Sequence, residues 1–345
     1  MMFPPRLKIF TDTAPGEVRA VAMDPDGRAL RLFTERWSGN GARVRFGMVI
    51  EARLRAFADQ LRGAFCDLPS GEEVFLRLKS RDGLTEGMAL CVKVQSEARH
   101  DKLARVTTSD HDVTDITAFQ AWQRDLGLAN EQVEADNQDA VSSAVEEALS
   151  PSITLPGGGR LHIDRTRALT AFDIDTAGRL GKGSAAARAL SINREAAQEV
   201  GRQMSLRGLG GLVILDCVSP LNAETRARVC EAANLAFEQS GLVGGRALKP
   251  SALGLLEASI PWQYMPVQDA RDVNPAETQL LDLLRAVQRD ANATPVKFYK
   301  LSLCGRVWQA YLSRKSETDQ ALHAEFGGRV SVIESSIQEN KVIPQ

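Results

Sequence analysis

The chain has 345 residues, of which 43% are hydrophobic and 25% charged, with a net charge of −2; this ordinary globular composition excludes disordered, collagen-like and coiled-coil classes and corresponds to roughly two to three domains. No apolar run approaches the ~20 residues of a membrane span, and the first ten residues lack the apolar core of a secretory signal. Five cysteines without a C-x-x-C pair exclude a disulfide framework and a zinc ribbon, so we expect a cytoplasmic protein with no membrane partner.

Charge is unevenly distributed along the chain. Residues 41–105 contain twelve basic and nine acidic side chains, and residues 151–262 contain thirteen and ten. Between them, residues 106–150 contain one arginine and ten carboxylates. The acidic segment cannot form a phosphate-binding surface, whereas its two mildly basic neighbours can.

The first third of the chain has the pattern of short strands. Val18–Phe33 predicts two strands around an Asp-Pro-Asp-Gly turn. Residues 44–105 contain about five short apolar runs separated by Gly, Pro, Ser and Asp, which favours an OB-type barrel. An SH3-like barrel would have a similar pattern, so the pattern alone leaves both open.

The middle of the chain predicts an α/β block. Residues 106–131 are polar and irregular apart from an ITAFQAW patch, and the apolar stripe of residues 137–149 predicts a helix. Leu161–Asp164 and Ala168–Asp175 are predicted to be paired strands. Asn193 is predicted to cap the N-terminus of the next helix and Gly208 to suit its C-cap, and GGLVILDCV is predicted to be a fully buried strand.

The last eighty residues predict a small α/β appendage. A strong helical pattern covers Ala276–Arg289, a strand-like VKFYKLSL follows, and a second helix is predicted around Val307–Arg314.

Two predicted apolar strands contain aspartates at or near their ends. Strand alternation puts Asp173 and Asp175 on one face of Ala171–Asp175, and Asp216 ends the apolar run that begins at Leu212. If the strands are neighbours, Asp173 and Asp216 converge on an oxygen-only site suited to hydrated Mg²⁺, with Mn²⁺ as a substitute. The alternative is that these acids sit at exposed strand ends and cap turns. The four histidines form no metal or triad pattern.

The stretch LPGGGRLHIDRTRALTAFDIDTAGR, followed by NREAAQEVGRQMSLRGLGGLVILD, strongly resembles the catalytic domain of the ribonuclease E/G family. The order is the same: a Gly-rich turn, an ALTA-hydrophobic-Asp strand, an N-x-E-A-A helix and an R-x-L-G-G-hydrophobic-Asp strand. ALKPSALGLLEAS is similar to the family's later GLLEMS segment. By this resemblance, Asp173 and Asp216 correspond to the metal-binding aspartates, and Asp175 to a position that is usually a metal-site asparagine.

The resemblance also covers the predicted barrel, where GMVIEARLRAFADQLRGAFCDLPSGEEVFLRL is similar to the family's embedded RNA-binding OB module. It implies that Phe65 and Phe75 pack against RNA and that Arg99 and Lys102 are basic RNA contacts, which suits base stacking and backbone charge. The alternative, favoured without the family, is that both rings are barrel core.

The fold implied is α/β plus a β-barrel, with an RNase H-like and DNase I-like catalytic region. The implied domains are residues 1–40 and 106–150 for the RNase H-like region with its acidic connector, 41–105 for the OB module, 151–262 for the DNase I-like domain and 263–345 for a small C-terminal domain.

The implied function is Mg²⁺-dependent hydrolysis of single-stranded RNA to 5′-phosphate and 3′-hydroxyl ends, with Arg179 and Lys182 neutralising nearby phosphates. A non-catalytic RNA-binding relative and a less specific metal-dependent phosphodiesterase remain alternatives. The chain also departs from the family. It lacks the zinc-linking C-P-x-C, so no zinc is expected and any homo-oligomer would be held without it. It has Ser219 in place of a second acid, and no room for a 5′-sensor domain.

Overall fold

The computed structural model describes residues 7–37, 44–81, 83–99, 102–113, 116–128, 133–177, 179, 183–335 and 339–345. Along these residues the chain forms three open sheets and one closed barrel. None of the described helices is long and apolar enough to cross a membrane.

Three antiparallel strands begin the fold: β1 (Lys8–Ala14), β2 (Glu17–Met23) and β3 (Ala29–Arg36). The turn between β2 and β3 contains Asp-Pro-Asp-Gly, where Gly27 has a φ of 78°, a region that glycine enters without a Cβ clash. The predicted pair of strands around this turn is confirmed.

The next five strands close into a barrel. They are β4 (Val49–Ala58), β5 (Gly63–Asp67), β6 (Glu73–Arg77), β7 (Ala89–Ser96) and β8 (Ala104–Thr108). Their order is β4-β5-β6-β8-β7, with β6 and β8 parallel. Alternate residues fill the interior, among them Ala64, Cys66, Val74 and Leu76, which are fully buried. A closed five-stranded barrel fits the OB-type prediction.

After the barrel the chain returns to the N-terminal sheet through α1 (Ala118–Asp125), β9 (Val133–Asp136) and α2 (Gln138–Leu149). β9 pairs in parallel with β1, so the sheet order is β3-β2-β1-β9. Asn137 caps α2 through its side chain, which confirms the predicted helix. The barrel is therefore inserted in the chain between two strands of one sheet.

A six-stranded sheet with two long helices follows. Its elements are β10 (Ser152–Thr154), β11 (Arg160–Arg165), β12 (Leu169–Asp175), α3 (Ala185–Leu206), β13 (Gly211–Asp216), α4 (Ala223–Gln239), β14 (Arg246–Ala247) and β15 (Leu255–Ile260). The strand order is β10-β11-β12-β13-β15-β14, with β12 and β13 parallel because α3 crosses between them. Side chains of α3 and α4 form one core with one face of the sheet, including Phe172, Met204 and Phe237.

Two expectations for this block were wrong. β13 is buried on one face only, and Leu212 is 56% exposed, because α3 and α4 cover a single side of the sheet. The uncovered side is called the open face below. Asn193 is not an N-cap: α3 begins eight residues earlier, Ser184 caps it, and Asn193 lies fully buried inside the helix.

The C-terminal part contains α5 (Val267–Asp272), α6 (Pro275–Ala293), β16 (Tyr299–Leu303), α7 (Gly305–Ser313), α8 (Lys315–Phe326), β17 (Val330–Glu334) and β18 (Lys341–Pro344). The strands form a sheet in the order β17-β16-β18, packed with α6, α7 and α8 around one core. The predicted helices and central strand are present. β17, β18 and α8 were not predicted from the sequence.

Candidate active site and RNA-binding surface

Asp173 and Asp216 are register partners across the parallel strands β12 and β13. Neighbouring strands lie about 4.8 Å apart, so the two side chains leave the sheet side by side. Both residues are exposed on the open face. The α3 crossover makes these strands parallel and so brings both carboxylates to the same end of the sheet.

The two carboxylates have no neutralising partner in the described part of the chain: neither Asp173 nor Asp216 has an ion pair or a side-chain hydrogen bond there. Adjacent like charges attract a cation and are unfavourable without one. Among the described residues there is no group of three or more His, Cys, Asp or Glu side chains that could hold a metal. Two carboxylates alone suit Mg²⁺, which keeps several of its own waters.

Asp175 lies two residues beyond Asp173 on β12 and is partly exposed. Its Oδ1 accepts a hydrogen bond from the backbone N–H of Ala177 at 2.8 Å. Oδ1 therefore caps the turn after the strand, and Oδ2 has no hydrogen bond within the described part of the chain. The sequence placed Asp175 on the same face as Asp173, which the burial pattern confirms.

His162 was not predicted as a site residue, but it is the register partner of Asp173 on β11. Ser152, His162, Asp173 and Asp216 thus form one row across four strands. The histidine is partly exposed. Only the register of β11 against β12 reveals this neighbour, and that register is not readable from residue spacing.

Asn193 is a second residue that the sequence did not predict to lie at the site. It is fully buried in α3. Its Nδ2 donates to the carbonyl of Val218 at 2.9 Å, and its Oδ1 accepts from the N–H of Val218 at 2.8 Å. The amide thereby fixes the backbone two residues after Asp216.

Cys217 is adjacent to Asp216 but does not add a thiolate to the site. It is 6% exposed, and burial raises the pKa of its thiol to about 12. At neutral pH it is protonated, and metal ligation or nucleophilic attack needs the thiolate.

Arg179 holds the Gly-rich turn. Its guanidinium ion pairs with Glu195 of α3 and donates to the carbonyl of Gly158 at 3.3 Å. Glu195 also accepts from the N–H of Gly157. Lys182, the other cation predicted to contact phosphate, lies outside the described residues.

Phe65 and Phe75 lie on the outer surface of the barrel. They are register partners on β5 and β6, and their ring centroids are 5.6 Å apart in an edge-to-face arrangement. A Cβ at Gly63 would come within 2.4 Å of the Phe75 ring, so only glycine permits this packing. Both residues are partly exposed and absent from the barrel core, which excludes the interpretation that they fill it.

Arg99 and Lys102 face each other in a short bridge but have different surroundings. Lys102 is exposed. Arg99 is 9% exposed, and its Cζ lies 4.2 Å from the ring centroid of Trp262. The same ring lies 3.0 Å from the position of a Cβ at Gly210. Arg99 and Gly210 therefore hold Trp262 between the barrel and the six-stranded sheet.

Comparison with known proteins gives a matching family and several related proteins. A family model described as the ribonuclease E/G family matches residues 76–259, which include Asp173 and Asp216. Ribonuclease E of Haemophilus influenzae is 45% identical over 78 residues, 23% of this chain and 8% of that protein. Ribonuclease G of Escherichia coli K12 is 35% identical over 120 residues, 34% of this chain and 24% of that protein. Ribonuclease E of a Synechocystis species is 33% identical over 98 residues, 28% of this chain and 14% of that protein. Each match therefore spans less than a quarter of the relative's own length.

Proposed function

The chain belongs to the ribonuclease E/G family, and from that premise we propose that it is a metal-dependent endoribonuclease. It would hydrolyse single-stranded RNA in RNA processing or decay in the cytoplasm. The observation that carries the proposal is the exposed pair Asp173 and Asp216, which have no ion pair among the described residues and are register partners inside the family-matched range.

Asp173 and Asp216 would hold the cation, Mg²⁺ or its substitute Mn²⁺, as oxygen ligands. When bound, such an ion supplies a Lewis acid that neutralises phosphodiester charge and makes water more acidic. Asp175 would orient solvent at the open face with the oxygen that the Ala177 N–H leaves free. Asn193 would keep the backbone after Asp216 in place through its two hydrogen bonds to Val218. Attack of water would leave 5′-phosphate and 3′-hydroxyl ends, as the family implies.

The barrel would bind the RNA. Phe65 and Phe75 offer partly exposed rings on which bases can stack, and Lys102 offers an exposed cation for the backbone. Arg99 and Arg179 would act differently from the sequence prediction. Because Arg99 packs on Trp262 and Arg179 pairs with Glu195, we propose that they support the surface rather than contact phosphate.

The domain organisation implied by the family is part of the proposal. The β3-β2-β1-β9 sheet with α1 and α2 would be the RNase H-like region, formed by residues 1–40 and 106–150 around the OB module of residues 41–105. Residues 151–262 would be the DNase I-like domain and residues 263–345 the small C-terminal domain. Without the zinc-linking motif, any homo-oligomer would form through other contacts.

The test compares matched labelled single-stranded RNA and DNA oligomers, each with Mg²⁺ and with excess EDTA. The proposal requires internal cleavage of the RNA that depends on the metal. Binding of RNA without cleavage would identify a non-catalytic relative, for which Ser219 in place of a second acid is a physical reason. Equal cleavage of DNA would identify a less specific phosphodiesterase.

A further inference from the structure

We infer that a basic cleft between the barrel and the six-stranded sheet binds the backbone of the RNA away from the point of cleavage. The inference rests on the proposed function in one respect, namely that the polyanion is RNA. The cleft has a volume of about 960 Å³. Strands β6 and β8 form one wall, and Pro261, Trp262 and Gln263 form the other.

The charge of the cleft is positive. Arg77, Lys79 and Arg105 line it, and no carboxylate of the described residues does. None of the three cations has an ion pair within the described part of the chain. Elsewhere on the barrel, Arg55 pairs with Glu73 and Arg81 pairs with Asp59. Three cations that no described carboxylate neutralises attract phosphates even in a chain of net charge −2.

The remaining walls suit nucleotides of a single strand. Leu84, Val243 and the edge of Trp262 add apolar surface beside the cations. A basic groove next to apolar and aromatic side chains is the usual composition of single-strand binding sites, since unstacked bases need apolar contact while the backbone needs charge.

The cleft is continuous with the aromatic pair on the barrel. Arg105 is the register partner of Phe75 across β6 and β8, and both are partly exposed between buried neighbours. Phe65, Phe75 and Arg105 therefore lie in one row on the outer surface. An RNA strand that stacks on the rings reaches the cleft through Arg105.

The cleft is separate from the aspartate pair. Its wall at Pro261 follows Ile260, which pairs with Gly211 at the start of β13, whereas Asp216 ends that strand. The length of β13 is about 17 Å at roughly 3.3 Å per residue. Nucleotides in the cleft are thus distant from the bond that is cut, and their contribution is to the binding of longer substrates.

The experiment measures binding in the full chain carrying Asp216→Asn, so that cleavage does not interfere. The cleft variant is Arg77→Ala/Lys79→Ala, since both side chains lie outside the barrel core and their removal leaves that core intact. The matched control is Arg289→Ala/Lys297→Ala, which removes the same charge from the C-terminal part. Probes are RNA oligomers of about 20 and about 6 nucleotides, since one OB fold covers roughly 4–16.

The cleft variant should bind the longer RNA at least tenfold more weakly than the control variant, and the short RNA nearly as well. Its plot of log affinity against log salt should be shallower by about 1.4, at about 0.7 for each phosphate that is no longer neutralised. Equal weakening by both double variants, or unchanged binding by the cleft variant, would overturn the inference.

Cleavage by the wild-type chain separates this inference from the proposed function. If the cleft variant loses affinity but the wild type does not cut RNA, the cleft stands and the endoribonuclease proposal fails. If the wild type cuts RNA and the cleft variant binds like the control, the endoribonuclease proposal stands and the inference about the cleft fails.

Discussion

The amide of Asn193 links α3 to the loop that follows Asp216, and α4 contains a matched amide elsewhere. Asn234 accepts from the N–H of Ala247 at 2.9 Å and donates to its carbonyl, which ties α4 to β14 away from the aspartates. Asn193→Ala and Asn234→Ala each leave polar groups unpaired and should each lower the free energy of unfolding by about 1–3 kcal/mol. Only Asn193→Ala should also lower kcat for RNA cleavage. Thermal unfolding and kcat at saturating RNA measure the two effects, and an equal loss of kcat in Asn234→Ala would contradict a positioning role.

The aromatic pair gives a second prediction at the scale of single residues. Phe65→Ala or Phe75→Ala should weaken RNA binding by roughly 1–3 kcal/mol if each ring stacks on a base. Both variants should stay folded because the rings lie outside the barrel core. Leu76→Ala is the contrasting variant, since Leu76 is fully buried and its truncation should cost about 2–5 kcal/mol of stability. Anisotropy titrations measure the RNA affinity of each variant, and thermal melts measure its stability. Phe variants that unfold without a change in residual affinity would refute the stacking role.

At the scale of elements, the sequence of a strand predicts its two faces best where apolar and polar residues alternate. Phe172 and Ile174 are buried while Asp173 is exposed, so the period of two in β12 predicts both the strand and its carboxylate face. β13 lacks alternation, and its apolar run predicts burial on both faces. The exposure of Leu212 depends on which side α3 and α4 cover, and a single strand does not encode that.

Tertiary contacts explain the other differences between the sequence-based predictions and the structure. Asn193 has the composition of a cap, but its hydrogen-bonding groups are satisfied by Val218, twenty-five residues away. The place of His162 beside Asp173 depends on the register of a strand pair. The side-by-side placement of Asp173 and Asp216 was therefore predictable from the strand patterns and the family resemblance, whereas the placement of His162 and Asn193 required the three-dimensional structure.

The acidic segment between the barrel and the six-stranded sheet supports a prediction about substrate ends. Residues 106–150 hold one arginine against ten carboxylates, and α1, β9 and α2 take up much of the segment. Recognition of a terminal phosphate requires cationic donors or an unopposed helix N-terminus. Cleavage of one oligomer with 5′-hydroxyl, 5′-monophosphate or 5′-triphosphate ends should proceed at rates within about twofold of each other. A tenfold preference for the monophosphate, about 1.4 kcal/mol, would reveal a sensor elsewhere in the chain.

At the scale of the whole molecule, a buried ionic cluster joins the N-terminal sheet to the C-terminal part. Arg285 of α6 is 4% exposed and ion pairs with Asp12 of β1 and Glu17 of β2. Glu17 also pairs with Arg19 and with Arg36. Burial alone raises the pKa of Glu17, but the three arginines together hold the pKa below the ordinary value of 4.5.

Since the pKa of Glu17 is lower in the folded than in the unfolded chain, its contribution to stability is present above pH 4.5 and is lost as the pH falls. Glu17→Gln leaves buried arginines uncompensated and should lower the free energy of unfolding at pH 7 by about 3–5 kcal/mol. It should also flatten the acid limb of the stability curve. Glu224→Gln, which breaks an exposed pair with Arg228, should change stability by about 0–1 kcal/mol. Denaturant unfolding from about pH 3 to pH 7 measures both; an unchanged acid limb in Glu17→Gln would contradict the assignment.

The most direct test of the account is the rate of RNA cleavage by the wild type and by Asp216→Asn, with Mg²⁺ or with excess EDTA. Glu238→Gln is the matched control, since this exposed glutamate lies on α4, on the covered side of the sheet. We expect the wild type to cleave RNA only with the metal. The cleavage rate should fall by about 10²-fold or more in Asp216→Asn and likewise in Asp173→Asn. It should fall less in Asp175→Asn and stay unchanged in Glu238→Gln. Wild-type rates in EDTA, or an unimpaired Asp216→Asn protein, would contradict the account.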